Sequence, residues 1–366
     1  MYQTILVPLD GSHFAERALP FAQMLATHSG ARLTLIRAAL IRPWHGGQPQ
    51  ANYVTSVEEA EAYLSDVKGR LDPSVTVETS AFYGEAAEAI LEAVAERQVD
   101  LVVMSTHGHS GPGRWVYGTV ADRVMRRAEV PILLVPASCV DAWSREDRFR
   151  ILVPLDGSGL AEEALAPAND LVEVFHAETI LLRVVDPVRE ASVWAEPQVG
   201  PPLDPTALTY SARQYLERIA DGWRAAGRVV VVHSAVGPVA SAIDSAARQQ
   251  RANVIAMTTH GRSGRICSVM SNVTTSVVQR ANVPILLVRP AVVRRAQPGP
   301  GARDSGTVME GMPINLMLTP RELLLLANSL ENTVLAAAHA GHETREMQDL
   351  LARIKNAESF CQSEPA

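Results

Sequence analysis

The stretch ILVPLDGS runs from Ile5 to Ser12 and again from Ile151 to Ser158, 146 positions later. Two further stretches recur at an offset of 153: THG at Thr106 to Gly108 and Thr259 to Gly261, and VPILLV at Val130 to Val135 and Val283 to Val288. Eight consecutive identities followed by two more blocks in the same order identify a tandem duplication. The change in offset places insertions between the landmarks, in the irregular Pro/Gly/Trp-containing stretches around Pro43 to Tyr53 and Pro187 to Pro205. Each copy has the length of an ordinary domain.

Within the first copy, short apolar runs alternate with segments of helical periodicity. Strands are expected near Thr4 to Leu9, Arg32 to Ala38, Val75 to Phe82, Leu101 to Ser105 and Ile132 to Val135. Helices are expected near Phe14 to Thr27, Val57 to Arg70, Glu85 to Glu96 and Thr119 to Arg127, where apolar residues recur every three or four positions. The second copy repeats this order. Nearly all-apolar strands, each followed by a helix, predict a doubly wound α/β fold: a parallel sheet covered on both faces. Such sheets bind ligands outside the carboxyl ends of the strands, where the strand order reverses. The expected domains are 1–140 and 147–291, with a C-terminal helical segment over 307–362.

Composition removes several function classes. The chain has 366 residues, 33 Lys+Arg against 40 Asp+Glu, a formal charge of −7 and 18 aromatic residues, a balance that argues against a nucleic-acid-binding surface. Its two lysines, Lys68 and Lys355, lie outside any GxxxxGK[ST] context, so a Walker-type NTPase is excluded. The three cysteines, Cys139, Cys267 and Cys361, are far apart and never in CxxC spacing; neither a disulfide framework nor a zinc cage is expected, and Cys267 reads as a passive thiol. With no long apolar stretch at the start or later, the expectation is a soluble cytoplasmic protein without a membrane segment.

The loops after strands one and four carry the chemistry. Pro8-Leu9-Asp10-Gly11-Ser12 reads as a turn and helix cap, with Ser12 and Ser158 as capping residues. Asp10 and Asp156 admit either reading, cap or acceptor for a ribose hydroxyl or an adenine amine. Strand four runs into Ser105-Thr106-His107-Gly108, then a loop with Gly111, Gly113 and Gly118 whose amides can converge on an anion, and Thr119 opens a helix whose N-terminus favours negative charge. That is phosphate-binding chemistry without a lysine. Arg114 adds a basic side chain within the loop. His107 and His260, with His109 and His13 nearby, have no carboxylate or cysteine at ligand spacing, so no metal site is assigned. A phosphorelay receiver needs clustered carboxylates at the end of strand one, whereas this end has only Asp10. No residue supplies an evident catalytic base or nucleophile, so the enzyme reading reduces to weak ATP hydrolysis at most.

These motifs together resemble two tandem domains of the universal stress protein family. That family's signature is G-x2-G-x9-G-[ST] after strand four, paired with an Asp at the end of strand one. Gly108, nine residues, then Gly118-Thr119 match the later elements; Ser105 stands at the first glycine, and Asp10 matches the carboxylate. The resemblance spans residues 2–136 and 149–289. It implies strand order 3-2-1-4-5, ATP, ADP or AMP in the crevice, with Mg accompanying ATP, and pairing of two domains through their last strands. Carried over, Asp10 beside Pro8 meets ribose or adenine, Ala38 and Met104 line the base, and Gly108, Gly118 and Thr119 hold phosphates; Ser105, His107 and Gly111 complete the expected set, to which Arg114 is added from the loop's own charge and not from the resemblance. The second copy departs further: Thr258 stands at the first glycine, Gly261 is kept, and Ser271-Asn272 replaces the final Gly-Thr. A weaker second site at Asp156, Val184, Met257, Gly261, Ser271 and Asn272 is expected, on the argument that a side chain at 271 conflicts with a backbone needing positive φ or close approach to phosphate.

After Pro290, VVRRAQPGPGARDSG has linker composition. Thr319-Pro320-Arg321-Glu322 is a capping box opening LLLLANSLENTVLAAA, and Glu343 to Phe360 reads as a second amphipathic helix with Met347, Leu350, Leu351 and Ile354 on one face. Two short helices cannot bury those faces alone, so they dock on the domains or join chains into a homo-oligomer. The functional expectation is a stress-response sensor or regulator in which nucleotide held mainly by the first copy changes a surface for an unidentified protein partner. The alternative is a nucleotide-independent interaction scaffold.

Overall fold

The computed structural model describes residues 2–39, 49–107, 118–139, 143, 148–186, 205–260 and 272–291. The first copy supplies β1 (Thr4–Pro8), α1 (His13–Glu16), α2 (Leu19–Ser29), β2 (Arg32–Ala39), α3 (Pro49–Arg70), β3 (Val77–Tyr83), α4 (Ala86–Glu96), β4 (Leu101–Ser105), α5 (Thr119–Arg127) and β5 (Ile132–Val135). The second supplies β6 (Arg150–Pro154), α6 (Gly159–Glu162), α7 (Leu165–Phe175), β7 (Glu178–Val185), α8 (Pro205–Ala225), β8 (Val230–Val236), α9 (Val239–Gln249), β9 (Val254–Thr258), α10 (Asn272–Arg280) and β10 (Ile285–Val288). The expected C-terminal helices over 307–362 lie outside the described residues.

The first copy has the expected strand order, and the second repeats it: the ten strands form one sheet ordered β3-β2-β1-β4-β5-β10-β9-β6-β7-β8. Pairing is parallel within each copy and antiparallel where β5 meets β10. Strand alternation explains how both faces are filled. Ile5 and Val7 join the core under α1, α2 and α3, whereas Leu6 between them joins the core under α4 and α5. All five residues of β4 and of β9 are buried, as strands covered on both sides must be.

One expected helix is divided. Instead of a single helix over Phe14 to Thr27, α1 ends at Glu16 and α2 starts at Leu19. Pro20 has no amide to donate to the carbonyl of Glu16, so the hydrogen-bond ladder cannot run through. Pro167 stands in the same relation to Glu163 between α6 and α7. The helix expected from Val57 begins earlier, at Pro49, a residue suited to a first helical turn because its missing amide has no partner there in any case.

The junction between copies has a two-fold character. Leu133 pairs with Leu286, its own counterpart at the 153-residue offset, and Leu134 and Ile132 pair with Ile285 and Leu287. Hydrogen bonds flank it: Ser138 Oγ donates to the Ala281 carbonyl at 2.6 Å, and the buried Arg289 donates to the Ala128 carbonyl at 3.2 Å. On the α2–α7 side, Trp143 makes edge contacts with Phe21, Phe149 and Phe175 at centroid distances of 5.0, 5.0 and 5.4 Å, and Phe149 stacks on Phe175 at 4.1 Å. The Trp143 indole N–H donates to the Asn253 carbonyl at 3.0 Å. One indole therefore ties the first copy's α2 to the second copy's α7 and to the residue preceding β9. Among the described residues, no helix is long and apolar enough to cross a membrane.

Truncating Trp143 to Ala removes this aromatic wedge and leaves the Asn253 carbonyl without its donor. An unfolding free energy lower by about 3–5 kcal/mol is expected, read from guanidinium titrations followed by circular dichroism. A change under about 1 kcal/mol, the scale of a surface substitution, would contradict the packing role.

Candidate functional site

The carboxyl ends of β1 and β4 lie side by side, because β4 pairs with β1 on the side opposite β2. The chain leaves β1 toward β2 and returns from β3 to β4 on the other side, so the two loops diverge and leave a crevice at the switch point. Half-buried Pro8 and Asp10 sit at one lip; the buried Met104 and Ser105 and the half-buried His107 sit at the other. Ala38, one residue before the end of β2, pairs with Phe82 of β3. Gly118 and the exposed Thr119 begin α5. Three residues expected at this site, Gly108, Gly111 and Arg114, lie outside the described residues, as do Gly261 and Ser271 of the second copy.

The two helix starts at the crevice differ in how their amides are satisfied. Asp10 Oδ1 accepts from the Ser12 amide at 2.8 Å, and Ser12 Oγ accepts from the Ala15 amide at 3.1 Å, so α1 carries its own cap. The same arrangement recurs at Asp156 and Ser158, where Oδ1 accepts from both the Ser158 amide at 3.0 Å and its hydroxyl at 2.6 Å. The capping reading of both serines therefore holds. Gly11 and Gly157 have φ of +86° and +83°, which the sharp turn demands and only glycine adopts without strain. Helix α5 is different. Its N-cap residue is Gly118, which has no side chain to bond the first-turn amides. The Gly118 amide itself donates to the Thr106 carbonyl at 2.8 Å, fixing the start of α5 against the end of the strand.

The backbone at Gly118 corrects the conformational argument about Ser271. Gly118 has φ −68° and ψ 159°, an extended conformation open to any residue, and among the described residues a Cβ built there would meet only the Thr106 carbonyl oxygen, at 3.7 Å. Positive φ is therefore not what separates glycine from serine at this position. The second copy departs elsewhere. The buried Thr274 of α10, where the first copy has Ala121, donates to the Thr258 and Thr259 carbonyls at 3.2 and 3.4 Å, and Thr258 Oγ1 donates to the His260 carbonyl at 2.5 Å. His260 is buried and half-buried His107 is its counterpart; each ring Nδ1 pairs with the hydroxyl of the preceding threonine, at 3.0 and 2.9 Å. Asp156, Val184 and Met257 keep the places of Asp10, Ala38 and Met104, and exposed Asn272 opens α10.

Side chains that sequence reasoning passed over gather at Tyr63, whose phenol feels the Asp10 carboxylate. Arg37 of β2 lies over the Tyr63 ring, 4.7 Å from its centroid; Tyr63 donates to Glu16 Oε1 at 2.9 Å, and Arg70 donates to both Glu16 oxygens at 3.0 and 3.1 Å. The repeat carried the signal, since Arg183, Tyr215 and Glu162 recur at the equivalent places and Tyr215 donates to Glu162 Oε1 at 2.8 Å. Burial, then the bond to Glu16, push the Tyr63 phenol well above its ordinary range, so it stays a donor. Hydrogen bonding from Arg70 holds the Glu16 carboxyl below its usual range, aided by Tyr63 and opposed by partial burial. Among the described residues, no cluster of three or more His, Cys, Asp or Glu side chains could hold a metal ion.

A depressed folded-state value makes the Glu16 contribution complete above the ordinary carboxyl value of 4.5 and lost as pH falls through the lower folded value. Acid titration of stability should therefore be steeper for the parent protein than for Glu16→Gln between about pH 5 and pH 3. Superimposable denaturant midpoints for the two proteins across that window would remove Glu16 from the account.

With this geometry in view, comparison with known proteins is specific. A model of the universal stress protein family matches residues 1–136 and 148–289. A universal stress protein of Mycolicibacterium smegmatis is 24% identical over 298 residues, covering 78% of this chain and 97% of that protein. One from Thermus aquaticus is 33% identical over 137 residues, 37% of this chain and 99% of its own length. The crystal structure of a universal stress protein from Archaeoglobus fulgidus shares the fold, with a TM-score of 0.59 at 19% identity, over 78% of this chain and 96% of that one. Two matched stretches in one chain, each ending in the strand that joins the shared sheet, have one reading: this chain belongs to the universal stress protein family as a tandem two-domain member.

Proposed function

We propose that the β1–β4 crevice of the first copy binds an adenine nucleotide, ATP or its di- or monophosphate, and that occupancy sets a protein-interaction surface in a stress response. The observation that carries this reading is the start of α5 at Gly118, which brings no capping side chain and is bonded to the end of β4, the strand next to the one that ends before Asp10. An amide cluster without its own side-chain acceptor is a ready anion site, and a carboxylate on the adjoining strand end suits the ribose hydroxyls or the adenine amine. The self-capped start of α1 is unsuited to the same role, which directs phosphate to the β4 side.

In the second copy the Thr258 hydroxyl and the Thr274 hydroxyl of α10 are both spent on carbonyls at the end of β9, and Ser271 brings a hydroxyl of the residue type that caps helices. This favours a structural role for that copy and nucleotide affinity at least about tenfold weaker, a difference of roughly 1.4 kcal/mol.

Replacing Gly118 by Asp tests the reading directly. An aspartate at an N-cap position satisfies the first-turn amides and leaves the helix as stable or more so, while its charge opposes phosphate. The expected outcome by calorimetry on the full chain is one tight ATP site per chain in the parent protein and a loss of at least about tenfold in affinity in Gly118→Asp, with thermal stability kept. A folded variant that binds ATP as tightly as the parent would refute the assignment. Absence of ATP binding by the parent itself would favour the scaffold.

A further inference from the structure

Arg37 continues the alternation of β2 on the face of α2 and α3, where Leu33 and Leu35 are buried; Ile36 packs on the opposite face with Met104 and the helices α4 and α5. The guanidinium is half-buried between the Tyr63 ring and the turn at Gly11. A Cβ built on Gly11 would lie 3.0 Å from Nη2, 3.1 Å from Cζ and 3.3 Å from Nη1 of Arg37, so the absent side chain is what lets the guanidinium rest against the turn that follows Asp10. The Glu16 carboxylate there is committed to Arg70 and Tyr63, and the Asp10 carboxylate, whose charge also acts on Tyr63, accepts from the Ser12 amide. Among the described residues, no side chain or carbonyl accepts a hydrogen bond or ion pair from Arg37, whose one partner is the Tyr63 ring. The five N–H donors of a guanidinium match a phosphate in forked geometry, and a partly desolvated one gains most from such a partner.

The second copy shows the contrast. Arg183, the counterpart of Arg37, stands farther from its glycine, 3.8 Å from a Cβ built on Gly157, and donates to the Leu155 carbonyl at 3.4 Å; Tyr215 is covered instead by Arg218, 5.9 Å from its centroid. The first copy thus holds a guanidinium ready for an anion on the face of the sheet away from α5. An anion there is not the one received by the α5 amides. A ribose bound at Asp10 would have Gly11 and Arg37 on one side of the end of β1, and β4 with the start of α5 on the other.

We infer that Arg37 is a specificity-determining residue that contacts a second phosphate, esterified to the 2′ or 3′ oxygen of the ribose, so that the preferred ligand of the first copy is a ribose-phosphorylated adenine nucleotide. This rests on the adenine-nucleotide reading of the crevice. The test is calorimetric titration of the full chain with AMP, adenosine 2′,5′-bisphosphate and adenosine 3′,5′-bisphosphate. One of the two bisphosphates should bind at least about tenfold more tightly than AMP, and Arg37→Met should bring that ratio to within about twofold of unity, whereas Arg183→Met should leave it high. Should Arg37→Met fail to fold, Arg37→Lys retains the stem and charge but not the fork, and should still lower the ratio severalfold. AMP binding without preference for either bisphosphate, or a preference that survives loss of the Arg37 guanidinium, would overturn the inference and leave the adenine-nucleotide reading in place. Failure of AMP, ATP and both bisphosphates to bind would overturn the two together.

Discussion

The antiparallel pairing of β5 with β10 is the constraint on which the rest of the molecule depends. Each copy alone ends in a short, wholly apolar strand, ILLV, with a row of unpaired amides and carbonyls along its outer side. Such an edge recruits another strand. Because the copies are duplicates, the complementary edge is in the same chain, and the two satisfy each other about the Leu133–Leu286 pair. The flanking Ser138 and Arg289 bonds and the Trp143 cluster then fix the angle at which the copies meet. The sheet becomes one body of ten strands with β3 and β8 at its margins.

That arrangement also settles where the ligand crevices lie. A parallel sheet sends every strand's carboxyl end to one side, and reversal of the winding direction between β1 and β4 opens a gap there in each copy. At the first copy's gap, among the described residues, Gly118 offers the start of α5 no capping side chain, and Arg37 lies over the Tyr63 ring and against the Gly11 turn. At the second, Arg183 donates to the Leu155 carbonyl, and the Thr258 and Thr274 hydroxyls tie down carbonyls at the end of β9. Duplication supplied two similar frames, and a few substitutions on the lips of the frames made them chemically unequal.

The fold was legible because its signals are local and repeated. Five apolar strand runs at a spacing that only helices can bridge, met twice, leave few topologies besides a doubly wound sheet. Errors fell where the deciding contact is an omission within the backbone ladder: the break between α1 and α2 turns on the missing amide of Pro20, and periodicity alone runs across it. At the site, Asp10 and Gly118 were found because turn and cap residues follow chemical rules at short range. The role given to positive φ at the Gly118 position was not, since glycine composition says nothing about which of several allowed conformations a loop adopts. Arg37 escaped notice because a basic residue at a strand end has many uses, and only its neighbours single one out.

The amino-acid sequence by itself determined the duplication, the α/β class, the membership implied by the strand-one Asp and the strand-four glycines, and the capping roles of Ser12 and Ser158. Each of these follows from interactions between residues a few positions apart, or from a pattern compared with its own repeat. Tertiary structure alone decided that Tyr63 and Arg70 converge on Glu16, that Arg37 meets Gly11 on one face while α5 begins on the other, and that Thr274, where the first copy has Ala121, bonds the end of β9. Those relations join residues that lie from 15 to 54 positions apart in the chain, brought together by strand pairing and by the side of the sheet on which each helix packs. Side-chain direction along a strand alternates with each residue, so the chemistry available to a ligand depends on register and face, which exist only once the sheet is formed.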